Sequence, residues 1–308
     1  MDILNDILDT LALKGALYFR TDFSPPWSVT VPELGQAARF HLVVQGQLHV
    51  RFQSGDQAIL NTGDMVLIPH GAQHVLSDSP VEEAPPLETV LADVGYDGSG
   101  VLTVGKGNPS AATQLLCGHF NFRDQADHVL LRALPDYMVT NASARATNPW
   151  LDDIIRLATR RIFSHSLGTD ASVVRLSEMM FIELLRQGVE QGALYNARLE
   201  AFTDTHIGKA LEHIHSAPDK AWTVEALASE VGMSRSSFAE RFKTVLGMGP
   251  MTYLTDWRLQ KAIALLDDSQ FSVQQIANQT GYRSPAAFTR AFADKFGQTP
   301  TLYRQNLS

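Results

Sequence analysis

Apolar and polar residues over the first 125 positions come in short alternating runs broken by turn residues, the pattern of strands rather than helices. RFHLVVQGQLHVRF (39–52) reads as two strands about a hairpin turn at Gln45-Gly46. AILNTGDMVLIPHGAQHVLS (58–77) follows, with a turn at NTGD and a corner at Pro69–Gly71. SPVEEAPPLE (79–88), acidic and carrying two adjacent prolines, reads as a loop. TQLLCGHFNF (113–122) reads as one more strand. Short strands so spaced predict a small antiparallel barrel or sandwich.

After about residue 125 the apolar period lengthens. Asn148 is placed to cap a helix with Pro149 at its first position, and Leu151, Ile154, Ile155 and Leu157 recur at helical spacing. A second helix carries Val174, Met180, Phe181 and Leu184 and ends at Gly188–Gly192. The two predict an antiparallel hairpin. The second has more apolar positions than one partner covers, so it packs on a second copy of the chain or on its own barrel. From Thr205 the chain is helical throughout. Ile207, Leu211 and Ile214 form one stripe, and further helices start at Thr223, Ser234, Pro250, Ser272 and Ser284. Ser272 and Gln275 have capping-box spacing, and Ser284-Pro285 pairs a cap with proline at the first helical position.

Within this region one pattern occurs twice: ALASEVGMSRSSFAERF (226–242) and QIANQTGYRSPAAFTRAF (275–292). In each, Ala228 or Ala277 lies where a neighbouring helix comes close. Gly232 or Gly281 then makes a left-handed turn. Ser234 or Ser284 caps a second helix, anchored by Phe238 and Phe242 or by Phe288 and Phe292, four apart on one face. Helix, glycine turn and helix make a helix-turn-helix unit. At about 100° per residue, the face opposite the first pair holds Ser236, Glu240 and Lys243. The matching face of the second copy holds Ala286, Arg290 and Ala293, with Thr289 to the side and Pro285 at the helix start. Such positions face the major groove. Arg290 suits guanine, Glu240 cytosine N4 and Ala286 a thymine methyl, while Arg235 and Lys243 suit phosphates. The helix between the copies, 250–266, buries Trp257 and Leu265. It would hold two readers on successive major grooves, about 34 Å apart along the duplex.

Composition changes that picture in one respect. The net charge of −8 argues against a nucleic-acid binder, yet residues 1–204 hold 14 basic against 24 acidic side chains and residues 205–308 hold 11 against 9. The second part is therefore mildly basic on its own. No apolar run is long enough to cross a membrane, and the acidic, amphipathic N-terminus is unlike a secretory signal. A single cysteine, Cys117, excludes an intrachain disulfide and fits a reducing cytoplasm.

The stretch from Ala221 to Arg304 resembles the AraC/XylS family of bacterial transcription regulators. The resemblance includes Gly247-x-x-Pro250, Arg258-Leu-x-x-Ala262 and the closing Phe296-Gly-x-Thr-Pro-x-x-Tyr-Arg304. It implies binding to double-stranded promoter DNA and recruitment or exclusion of RNA polymerase. Glu240 stands where many members carry Arg, so the base read by the first half of the site does not carry over. The N-terminal part is similar to the cupin-type sensor of one subgroup, which includes reactive-chlorine-sensing regulators. Gly63, Pro69, Gly71 and His74 fit the second cupin motif; the first keeps Gly35 and His41 but has Val43 in place of a second ligand histidine, and no clear glutamate follows.

His41, His74, Cys117 and His119 form the candidate sensor set. Cys117 and His119 are two apart on one strand and share a face. Together the four could hold a divalent metal such as zinc. Alternatively, neighbouring imidazoles lower the Cys117 pKa and make it an oxidisable thiol. The plain alternative is a core cysteine among barrel histidines.

The expected fold is α+β, with a cupin-like antiparallel barrel (1–125), a helical hairpin linker (126–203) and an all-α domain with two helix-turn-helix units (204–308). The expected function is a cytoplasmic, homodimeric, DNA-binding regulator, not an enzyme, gated by an unknown effector. The rival is a metal-dependent cupin enzyme with an appended helical domain.

Overall fold

The structure, a computed structural model, describes residues 2–35, 37–107, 111–162, 167–190, 197–267 and 270–306. The class is α+β, in two compact units. Leu13–Phe122 and Pro135–Leu185 form one; Met1–Ala12, Arg123–Leu134 and Arg186–Ser308 form the other.

The first unit carries the expected cupin-like strands. Its strands are β1 (Lys14–Phe23), β2 (Ser28–Val31), β3 (Ala37–Gln45), β4 (Gln47–Phe52), β5 (Gln57–Asn61), β6 (Met65–Ile68), β7 (His74–Ser77), β8 (Val101–Val104), β9 (Thr113–Asn121) and β10 (Met138–Thr140). They make a six-stranded sheet, β10-β6-β3-β9-β1-β8, and a four-stranded sheet, β2-β7-β4-β5. Pairing is antiparallel except between β1 and β8. Val43, Val66 and Leu115 of the larger sheet meet Val29, Val50 and Leu76 of the smaller in one core.

Three local expectations are corrected. Gln45-Gly46 is not a hairpin turn, because β3 pairs with β6 and β9 whereas β4 pairs with β5 and β7. Gly46, at φ +85°, is a corner where the chain changes sheets; a Cβ there would lie 2.8 Å from the Ala112 carbonyl. β3 is buried at nearly every position while β4 alternates, so the two strands need different surroundings. Within the stretch read as a helical hairpin linker (126–203), β10 pairs with β6, Met138 opposite Leu67, and extends the larger sheet. Three residues are too few to show a period. A helix, α2 (Leu87–Val94), also follows the acidic loop.

After β10 come α4 (Ala142–Ala146), α5 (Pro149–Ile162) and α6 (Thr169–Glu190), with α3 (Val129–Arg132) preceding the strand and α1 (Ile3–Leu11) opening the chain. Asn148 caps α5 by accepting from the Leu151 N–H at 3.1 Å. Phe181 of α6 packs against Phe120 of β9 with ring centroids 4.7 Å apart and the rings tilted by 37°, and Glu178 accepts the Gly15 N–H at 2.8 Å. The chain's own sheet therefore covers the apolar face of α6. Gly192, where that helix was expected to end, lies outside the described residues.

The second unit holds α1, α3, α7 (Ala197–Glu200), α8 (Ile207–Ser216), α9 (Val224–Glu230), α10 (Arg235–Leu246), α11 (Pro250–Asp267), α12 (Val273–Gln279), α13 (Pro285–Phe296) and α14 (Pro300–Asn306). Ser272 and Gln275 form the expected capping box. Trp257 is buried in α11 as expected, but Leu266 rather than Leu265 is the fully buried leucine near its end.

Candidate functional sites

Both copies of the repeated motif fold alike. Gly232 (φ +69°) and Gly281 (φ +76°) adopt the left-handed conformation. After α9, Met233 N–H donates to Ala228 at 2.9 Å and Gly232 N–H to Ser229 at 3.2 Å; after α12, Tyr282 donates to Ala277 at 2.9 Å and Gly281 to Asn278 at 3.1 Å. This is the paired-bond stop of a helix that ends in a left-handed residue. Ser234 then accepts from Ser237 N–H, and Ser284 from Ala287 N–H, each at 3.2 Å. The buried pairs Phe238–Phe242 and Phe288–Phe292 have centroids 5.6 and 5.7 Å apart.

Burying those phenylalanines turns the opposite faces outward. Arg235, Ser236, Glu240 and Lys243 are exposed on α10; on α13 Ala286 and Arg290 are exposed, and Pro285 and Thr289 are half-buried. Arg235 is engaged in an ion pair with Glu225 of α9, so a phosphate would have to compete for it. Arg283, just before the Ser284 cap, is also exposed. Counting helical faces missed it because it precedes the helix, although a basic residue beside a cap was signal enough.

The strand-rich unit brings together three of the four candidate sensor residues. His41 and Cys117 are opposite one another on β3 and β9, and His74 comes from β7 in the other sheet. His41 Nδ1 lies 3.0 Å from Cys117 Sγ, His41 Nε2 lies 2.8 Å from His74 Nε2, and His74 Nδ1 lies 2.8 Å from the Ala72 carbonyl. The carbonyl can only accept, so the His74 proton sits on Nδ1. That ordering runs back along the chain: His41 Nε2–H donates to His74, and the Cys117 S–H donates to His41 Nδ1. All three side chains are buried, and in this arrangement all are neutral.

Burial keeps both imidazoles uncharged. It holds His41 well below the usual histidine value, with His74 and Arg39 adding to the effect, and takes His74 down to about 4. Burial likewise pushes the Cys117 thiol up, with Arg39 opposing it in part. The expectation that neighbouring imidazoles lower the cysteine pKa is therefore corrected: neutral rings supply no positive charge. Arg39, two residues before His41 on β3 and buried, was not anticipated. The Arg-x-His alternation along a strand would have pointed to it.

His119 stands apart, its Nε2 accepting from the Asn121 side chain at 3.0 Å. The remaining three do not suit one tetrahedral ion as they stand. His41 presents opposite edges of its ring to His74 and Cys117, so the donors do not converge on a point. Among the described residues no group of three or more His, Cys, Asp or Glu is arranged to hold a metal.

Tandem helix-turn-helix units and a cupin barrel on one chain define the class: a DNA-binding regulator with an N-terminal cupin domain. Comparison with known proteins agrees. Residues 2–190 match the Cupin family and residues 227–306 match the Helix-turn-helix domain. The chain is similar to the HTH-type transcriptional regulator AlkR of Acinetobacter baylyi, at 33% identity over 99% of each chain. It is also similar to the RCS-specific HTH-type transcriptional activator RclR of Escherichia coli K12, at 26% identity over 100% of this chain and 98% of RclR. Among solved structures, the DNA-binding domain of AdpA in complex with a target DNA matches 33% of this chain and 92% of its own, at 31% identity and a TM-score of 0.32. The chain belongs to the AraC family of helix-turn-helix transcriptional regulators, in its cupin-bearing branch. No described helix is long and apolar enough to cross a membrane.

Proposed function

We propose that this DNA-binding regulator reads promoter DNA through Arg235, Ser236, Glu240 and Lys243 in one half of its site and Pro285, Ala286, Thr289 and Arg290 in the other. The observation that carries this reading is the duplicated turn: two copies with the same stop bonds, caps and phenylalanine anchors, each leaving its polar face exposed. Arg283 joins Arg235 and Lys243 as a phosphate contact. The protein acts in the cytoplasm as a homodimer that recruits or excludes RNA polymerase. Exposed Trp150 and Leu157 on α5 and Met179 on α6 support the helical hairpin as the surface for a second copy.

The barrel acts as a sensor rather than an enzyme. Val43 in the place of a ligand histidine, and a relay whose hydrogen-bonding atoms are already engaged, support that reading. The effector acts on the Cys117–His41–His74 relay, because any chemistry that consumes the S–H proton removes the donor that orders both rings. RclR's specificity for reactive chlorine species makes an oxidant the first class to try.

The DNA reading is tested with a duplex enriched from a random-sequence library by the full-length chain. Arg290→Ala should weaken binding by about 1–3 kcal/mol and relax preference at one base position. An unchanged base preference would remove Arg290 from the interface.

A further inference from the structure

Four buried polar side chains in the DNA-reading unit form one directed chain. Asp6 lies in α1, His128 just before α3, His215 in α8 and Tyr253 in α11, and none is more than 5% exposed. His215 Nδ1 is 2.8 Å from Asp6 Oδ2, His215 Nε2 is 2.7 Å from Tyr253 Oη, and Tyr253 Oη is 3.1 Å from His128 Nε2. The Leu130 N–H donates to His128 Nδ1 at 3.2 Å, which leaves that ring's proton on Nε2. His128 therefore donates to Tyr253, Tyr253 to His215, and His215 to the Asp6 carboxylate. Lys261 of α11 holds the other carboxylate oxygen. A buried chain of this kind adds little stability over apolar packing, but it accepts one geometry only.

The neighbouring residues extend the grip. Arg123 N–H donates to the Leu11 carbonyl at 2.7 Å, its Nε to Thr10 at 3.2 Å, and its guanidinium pairs with Asp267 at the end of α11. The Gln260 side chain accepts the Asp127 N–H and donates to the Gln125 carbonyl, both at 3.3 Å. Lys295 of α13 bridges Asp127 at 3.5 Å and Asp256 of α11 at 3.2 Å. The N-terminal helix and residues 123–130 thus hold α11 from Tyr253 to Asp267 and reach the second reading helix.

We propose that the Asp6–His215–Tyr253–His128 chain makes α1 and residues 123–130 positioning parts of the DNA-reading unit that set the pose of α11. This rests on the DNA-binding reading above. α11 separates the two reading helices, so whatever sets its pose sets whether both meet one duplex. Coupling of this kind is reciprocal: DNA binding must be felt at α1 and α3.

Amide hydrogen exchange of the full-length chain, with and without the duplex enriched by the wild type, tests this. In the wild type, duplex should slow exchange across Ile3–Leu11 and Val129–Arg132. In Tyr253→Phe that response should vanish and affinity should fall about fivefold or more, while thermal unfolding reports separately whether the fold is intact. Asp6→Asn is the second variant, with the same losses expected. A wild-type chain that binds with sequence preference yet leaves exchange at α1 and α3 unchanged overturns the coupling and leaves DNA reading standing. So does a folded Asp6→Asn protein with the wild-type response. A wild type without sequence preference overturns both.

Discussion

At the scale of single residues, the cupin site turns on protons rather than on charge. One backbone carbonyl, that of Ala72, orders the protons on His74, His41 and Cys117 in turn. The cost of keeping His74 neutral appears in acid. An unfolded histidine titrates near 6.5 and folded His74 at about 4, so between those values the unfolded chain takes up a proton that the folded chain refuses. Stability therefore falls as pH drops from 6.5 to 4 and levels below, by on the order of 3 kcal/mol from this residue. His41 adds in the same direction. Urea midpoints between pH 7 and pH 4 should show this fall in the wild type and a shallower one in His74→Gln. Parallel curves would show that His74 is not held neutral. His41 and His74 were legible from cupin-like spacing, and Cys117 from its strand. His119 has the same alternation as Cys117, but its contact with Asn121 is set by the finished strand.

At the scale of elements, the two helix-turn-helix units show which local rules decide and where packing adds to them. Caps, stop bonds and phenylalanine pairs repeat because each depends on residues within a turn or two. The glycines differ in their surroundings. A methyl group at Gly232 would meet nothing within 4 Å, whereas at Gly281 it would lie 2.6 Å from the Arg258 guanidinium and 2.7 Å from the Asp219 carbonyl. Arg258 cannot easily give way, since it donates to the Pro218 and Lys220 carbonyls at 2.7 and 2.9 Å. Gly232→Ala should cost about 1–2 kcal/mol, the left-handed penalty alone, and Gly281→Ala more. Denaturant titration of both variants under one buffer checks the order; equal losses would mean that the second contact relaxes freely. The β3–β4 corner is the opposite case: Gln45-Gly46 has hairpin chemistry, but strand burial assigns its flanks to different sheets.

At the scale of the whole molecule, the net charge of −8 says little about DNA, because the mild excess of basic groups is confined to residues 205–308. Sequence order also fails to follow the units, since Met1–Ala12 and Arg123–Leu134 group with the C-terminal helices. The sensory proposal is tested at this scale. Hypochlorite should change the affinity of the full-length wild type for its enriched duplex and leave that of Cys117→Ser unchanged, as read by fluorescence anisotropy. A response that survives in Cys117→Ser would exclude the relay as the point of action.

What the chain by itself determined is whatever rests on short-range periods: the strand-rich first part, the helical last part, the doubled turn-and-helix motif and the outward faces of its reading helices. These are written locally, because an apolar side chain every second or every third to fourth residue selects the element and the face it buries. Only the tertiary structure decided which strands pair, that the S–H of Cys117 reaches His41 across 76 residues, and that Asp6 meets His215 across 209 residues of sequence. Contacts of that kind depend on burial and on the direction of hydrogen bonds between distant segments, and no local pattern encodes either.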